Sequence, residues 1–147
     1  MKVHSPVPFN LDRFLEAQER IYDQALAEIR AGRKQSHWSW FIFPQISGLG
    51  FSSRSMRYGI ESLAEARAYL QHRTLGPRLK ECVAALLELP VSDAELVLGH
   101  IDAMKLRSCL TLFSEADPDE SVFKVALQKY YHGFPDKATL SLIATSP

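Results

Sequence analysis

The chain has no excess charge of either sign: 17 Lys and Arg stand against 17 Asp and Glu, for a formal net charge of zero. A one-signed field is what draws a protein to nucleic acid or to an anionic membrane, so neither partner is expected. Cysteine is scarce. Cys82 and Cys109 are the 2 in 147 residues, both in apolar, helix-like surroundings. That excludes a fold built on several disulfides and predicts buried free thiols in a reducing cytoplasm. No apolar run approaches the length of a membrane span, and the opening MKVHSPVPFN lacks the apolar core of a signal peptide. A cytoplasmic, soluble protein is therefore expected. There are no internal repeats, low-complexity tracts or Gly/Ser-rich linkers, so one domain spanning residues 1–147 is expected. HExxH, CxxC and carboxylate–histidine clusters at ligand spacing are missing, and no metal or cofactor is expected.

What remains is ordinary globular composition, 46% apolar and 23% charged, in a chain long enough to bury a core unaided. Apolar residues recur at helical spacing from Leu11 to Ala31, with Asn10 and Gly32 as candidate caps. Ser62 to Glu65 is a capping-box pattern ahead of Leu63, Ala66, Tyr69 and Leu70. Pro77 suits the first turn of a helix running to about Leu89. Ser92 to Glu95 opens a short capped helix that Gly99 closes. Asp102 is a candidate cap for a helix to about Ser114, and Asp117 and Pro118 end it. Further helices are predicted from about Glu120 to His132 and from Asp136 to Ile143. The fold class read from this is all-α, a compact single-domain multi-helix bundle with short connections.

Two stretches stand apart. The first is SHWSWFIFPQISGLGFSSRS, residues 36–55. Its first part, to Phe43, is a hydrophobic load whose ordinary role is core, read as helical or irregular because no second strand is available to pair with it. Its second part, from Pro44, is a turn-rich loop. Gly48 and Gly50 permit close backbone approach, and the serines offer donors to an anion. It matches neither GxxxxGK[ST] nor GxGxxG. The second stretch is IDAMKLRSCLTLF, residues 101–113. At 100° per residue, Leu106, Leu110 and Phe113 share one face, while Met104 and Leu112 lie elsewhere, as in a central helix. That helix nevertheless carries Asp102, Lys105, Arg107, Ser108 and Thr111. Either its charged end is exposed, or a partly desolvated cation has a carboxylate or an anionic ligand beside it.

SHWSWFIFPQISGLGFSSRSMRYGIESLAEARAYLQH, with LGPRLKEC and DAMKLRSCLTLF, resembles the bacterial and fungal family called domain of unknown function 1810 over nearly the whole chain. The resemblance implies a mainly α-helical fold and no particular activity, substrate or cofactor. Some members of that family carry a calpastatin label, but nothing in this chain supports protease inhibition. The family's motif positions fall here on His37, Trp38, Trp40, Phe43, Pro44, Gln45, Gly48, Gly50, Ser52, Ser55 and Tyr58. In the later segment they fall on Asp102, Lys105, Leu106, Arg107, Ser108 and Thr111.

Three classes of function follow. One is a binding protein or enzyme for a small anionic or nucleotide-like ligand, held between the 37–58 region and the 102–111 helix. Lys105 and Arg107 supply charge, the loop supplies donors, and Trp38 or Tyr58 supplies a stacking wall. The residues assigned to such a site are His37, Trp38, Gln45, Ser52, Ser55, Tyr58, Asp102, Lys105, Arg107 and Ser108. A serine nucleophile with Lys105 or His37 as base belongs here too, although no GxSxG elbow supports it. The second class is a protein-interaction module with an aromatic docking patch. The third assigns every motif residue to packing and buried hydrogen bonds. A concave polar pocket would favour the first class, and a flat apolar patch the second.

Overall fold

A computed structural model of the chain describes residues 9–145, and the reading of the first eight residues as lacking a signal core lies outside that range. The described residues form ten helices and no sheet: α1 (Asp12–Gln18), α2 (Tyr22–Arg30), α3 (Ser39–Ile42), α4 (Ser53–Tyr58), α5 (Leu63–Gln71), α6 (Leu75–Leu87), α7 (Ala94–Leu98), α8 (His100–Ala116), α9 (Ser121–Tyr131) and α10 (Lys137–Thr145). The all-helical single domain is the fold class expected. Ile46 and Ile60 form an isolated parallel bridge. No helix among the described residues is long and apolar enough to cross a membrane.

The boundaries differ from the expected ones in three instructive places. The helix expected over 11–31 is two. One turn beyond Phe14 and Leu15 come the polar Gln18 and Glu19, so no apolar side chain anchors a continuation. The Gln18 amide instead donates to the Phe41 carbonyl at 2.7 Å and to the Tyr69 hydroxyl at 3.1 Å, fixing the end of α1. Leu11, not Asn10, precedes α1, without a side-chain cap. Second, Asp102 does not cap α8. The helix starts at His100, because Gly99, at φ +86°, makes the corner after α7. Asp102 thus falls in the first turn, its carboxylate free for other partners. Third, the serine-rich loop contains α4, capped by Ser52, whose hydroxyl accepts from the Ser55 amide.

Helix α8 is the axis of the bundle, with α3, α5, α7, α9 and α10 packed around it. From Ser108 to Ser114 every residue of it is buried, and Leu106 and Leu110 are fully so. Phe113 of α8 packs against the tilted rings of Tyr69 and Phe123, with centroids 5.4 and 5.8 Å away. Cys82 and Cys109 are buried free thiols, and burial pushes Cys82 up to about 12.

Two carboxylates tie the loops to this frame. Glu28 of α2 accepts from the Gln35 and Ser36 amides at 2.8 and 2.9 Å, and from the Trp38 indole at 2.9 Å. Partial burial would raise its pKa, but these donors and the Ser36 hydroxyl outweigh that and hold it at about 2. Glu65 of α5 accepts from the Glu61 amide at 2.7 Å and pairs with Arg13 of α1 at 2.9 Å. Arg13 also donates to the carbonyls of Arg57 and Gly59, at 2.8 and 2.9 Å, and so holds the end of α4.

The Glu28 carboxyl is depressed from 4.5, so its contribution is complete above that value and is lost as pH falls toward about 2. Denaturant melts of wild type and Glu28→Gln across that range should show a stability gap that is full near neutrality and closes in acid. A gap independent of pH would show that the carboxylate charge is not what binds residues 35–38.

Candidate functional site

The two polar stretches meet. Chain leaving α3 through Pro44 runs to Ile46, where the bridge to Ile60 closes a loop on itself: Ser47 donates to the Ile60 carbonyl and Ile60 to the Gln45 carbonyl, each at 2.8 Å. Gly48, at φ +102°, turns the chain against Leu142 of α10. Gly59 is a contact point. A Cβ there would collide with the Ser47 hydroxyl and lie 2.8 Å from the Ser55 carbonyl oxygen. One side of the closed loop faces the first half of α8, and between them lies a cavity of about 420 Å³.

Gln45, Ser55 and Tyr58 line this cavity from the loop side, with Trp40, Ile46, Leu49 and the glycines 48, 50 and 59. Ile101, Met104, Lys105, Arg107 and Ser108 line it from α8, and Asp136 and Ala138 from the start of α10. Of the residues predicted from sequence, the structure therefore brings Gln45, Ser55, Tyr58, Lys105, Arg107 and Ser108 to one place. It puts the other four elsewhere. His37 is exposed and lies outside the lining. Trp38 is fully buried, with its indole N–H on Glu28, so the wall expected of it falls to half-buried Trp40. Ser52 is an exposed helix cap. Asp102 stands behind the lining and acts on it through Lys105.

That relation dominates the electrostatics. Asp102 receives two ammoniums, Lys34 at 2.8 Å and Lys105 at 3.2 Å, and the side chains of Lys34, Asp102 and Lys105 are only 8%, 17% and 17% exposed. Burial alone would raise the Asp102 pKa, but the hydrogen bonds from Lys34 and Lys105 outweigh it and hold the carboxyl below its ordinary value. The Lys105 ammonium also lies 4.0 Å from the Trp40 ring centre, over its face. Lys34 lies 5.0 Å from that of Trp38. The cation on α8 is thus partly desolvated, as one of the two readings of that helix required.

The rest of the polar lining is largely spoken for. The Arg107 Nε donates to the Phe134 carbonyl at 2.9 Å. Ser108 donates to the Met104 carbonyl at 3.2 Å and to Asp136 at 3.3 Å. Asp136 caps α10, accepting from the Thr139 amide and hydroxyl at 3.0 and 2.6 Å. Ser55 donates its hydroxyl proton to the Ser52 carbonyl at 2.9 Å, so no base holds it as a nucleophile. Gln45 is the exception: it is buried, and its Nε2 has no hydrogen-bond partner. Among the described residues no three His, Cys, Asp or Glu side chains are grouped to hold a metal ion.

Sequence reasoning missed Trp40, Ile101, Met104, Asp136 and Lys34. Ile101, Met104 and Ser108 repeat at helical spacing, a signal that could have placed them on one wall. Nothing local joins Lys34 to Asp102, and Asp136 reads only as a cap.

An all-helical domain with a mixed apolar and cationic pocket between a glycine–serine loop and its central helix is the class these features define. The chain belongs to the family described as protein of unknown function DUF1810, whose model matches residues 8–143. It is similar to the conserved hypothetical protein Rv1873 from Mycobacterium tuberculosis, whose crystal structure superposes with a TM-score of 0.92 at 47% identity, covering 95% of this chain and 99% of that one. No curated protein matches the chain.

Two substitution series test this construction. Gly59→Ala should cost about 1–3 kcal/mol, the range for forcing a methyl into packed surroundings. Gly50→Ala, whose Cβ would meet nothing nearer than 3.5 Å, should stay within about 0.5 kcal/mol. Equal costs in denaturant melts would refute the tight closure at Gly59. In the ionic triad, Asp102→Ala strands the buried Lys34 ammonium and should cost about 3 kcal/mol. Lys105→Met leaves Asp102 its other partner and should cost under about 1 kcal/mol. The Asp102 contribution should be present above about pH 4 and fade in stronger acid, as its depressed pKa requires. A larger loss in Lys105→Met than in Asp102→Ala would contradict the sharing of one carboxylate.

Proposed function

We propose that this chain binds a small anionic, nucleotide-like ligand in the cavity between the 44–59 loop and α8. The observation that carries this reading is the charge surplus at the wall and directly behind it. Lys34 and Lys105 share the single carboxylate of Asp102, and Arg107 adds a third cation where Asp136 is the second carboxylate. One net positive charge is left in partly desolvated surroundings, where an anion replaces lost hydration most effectively. The cavity volume falls in the range of small-molecule sites, and Ile46, Leu49, Met104 and the rings of Trp40 and Tyr58 give an apolar body somewhere to lie.

A second reading has one observation in its favour. Ile101 and Met104 are 68% and 60% exposed on the α8 side of the cavity, and Phe51 is 88% exposed on the loop. A partner protein docking there would cover them. It would not need Lys105.

Thermal unfolding in the presence of pyrophosphate and nucleoside monophosphates separates the two. On the anion reading the wild-type midpoint rises with the logarithm of ligand concentration, and Lys105→Met abolishes the rise while melting normally without ligand. Equal shifts in both proteins, or none in either, would end this reading.

A further inference from the structure

The cations of the cavity wall stand next to uncovered apolar side chains. Ile101 and Met104 line the cavity and are 68% and 60% exposed. Two more exposed rings adjoin lining residues: Phe51 follows Gly50, and the Phe134 carbonyl holds Arg107. The other large apolar side chains exposed among the described residues, Met56, Leu96 and Val125, belong to α4, α7 and α9. Exposed apolar side chains are unremarkable when scattered, but grouped at the mouth of a cavity they call for a cover.

Helix α8 sets the order of these groups. Side chains three or four residues apart on a helix are neighbours. Met104 therefore stands one turn from Ile101 on one side and one turn from Arg107 and Ser108 on the other. Lys105 stands one turn from Ile101, about 6 Å along the axis at about 1.5 Å per residue. The α8 wall thus has an apolar end toward the start of the helix and a charged end further in. At the charged end Lys105 shares its carboxylate with Lys34. Arg107 has five N–H donors there, of which the Phe134 carbonyl takes that of Nε. The nearby hydroxyls and carboxylate are already bonded: Ser55 to Ser52, and Ser108 and Thr139 to Asp136. Beyond its anionic group, then, a ligand meets few polar partners and a surface of Met and Ile, which adapts to a flexible chain.

A purely apolar cover would face the surplus charge, and a compact anion would leave Ile101 and Met104 bare. Extending the anion reading above, on which it rests, we propose that the ligand is amphipathic. Its anionic group sits at Lys105 and Arg107, and it carries an unbranched apolar chain that leaves the cavity toward the start of α8 and covers Met104 and Ile101.

The probes are ethyl, butyl, hexyl and octyl phosphate, measured by calorimetry below the concentrations at which they form micelles. The head group is constant and only the tail grows. In the wild type, affinity at one site per chain should rise about two- to fourfold per methylene, so that octyl phosphate binds at least about tenfold more tightly than butyl phosphate. Octylammonium, with the same tail and the opposite charge, should not bind. Combining Ile101→Ser with Met104→Ser should cut the octyl-to-butyl ratio below about threefold, and the melting point should hold because both side chains are exposed. Leu96→Ser, at a similarly exposed position on α7 outside the lining, should keep the full ratio. Lys105→Met should weaken every member of the series and keep the ratio. Octylammonium binding as tightly as octyl phosphate would overturn the proposal, and so would a full ratio in the Ile101 and Met104 double variant. Pyrophosphate binding with no gain along the alkyl series would also overturn it, while leaving the anion site standing and the apolar mouth to a partner protein. Failure of pyrophosphate and alkyl phosphates alike would remove both.

Discussion

Helix α8 is buried along most of its second half and carries partly buried charges along its first, and both halves must find partners in the surrounding helices. Its second half is enclosed from Ser108 to Ser114, so the polar atoms there must find partners inside the fold. Ser108 and Thr111 do so by bonding carbonyls of their own helix, and each then reaches the start of α10: Ser108 donates to the Asp136 carboxylate, and Thr111 accepts from the Asp136 amide at 2.8 Å. The first half cannot be enclosed in the same way, because it carries Asp102, Lys105 and Arg107. The boundary between the halves is where the cavity opens.

The charged end is settled by sharing. A carboxylate with two ammoniums keeps its own charge well compensated and leaves theirs in surplus. Placing Lys105 over Trp40 offsets part of that surplus with a ring face, which solvates a cation without neutralising it. The arrangement keeps a positive centre at the wall of the cavity while both lysines remain anchored.

The loop opposite is held from outside the cavity. Arg13 and Glu65 grip its far end, the Ile46–Ile60 bridge closes it, and Gly59 lets its two limbs touch. None of these contacts uses a side chain that faces the cavity from the loop. Gln45 and Tyr58 thus line the cavity from a frame that is fixed without their side chains.

The sequence by itself determined that the chain is helical, where most of the helices lie, and that two polar stretches needed partners. Helical spacing and a cap such as Ser62 act over three or four residues, within reach of one-dimensional reading. It also offered six residues that line the cavity. It could not say which tryptophan faces outward. Trp38 and Trp40 stand two apart in a mostly apolar segment, and the first is held in the core by tertiary contacts, among them its indole bond to the Glu28 carboxylate ten residues earlier. It could not split the first helix, because the end of α1 is held by two tertiary hydrogen bonds, from Gln18 to Phe41 and to Tyr69. Lys34 beside Asp102, and Asp136 beside Ser108, were likewise decided by tertiary structure. Each joins residues far apart in sequence, through distances that no local pattern encodes.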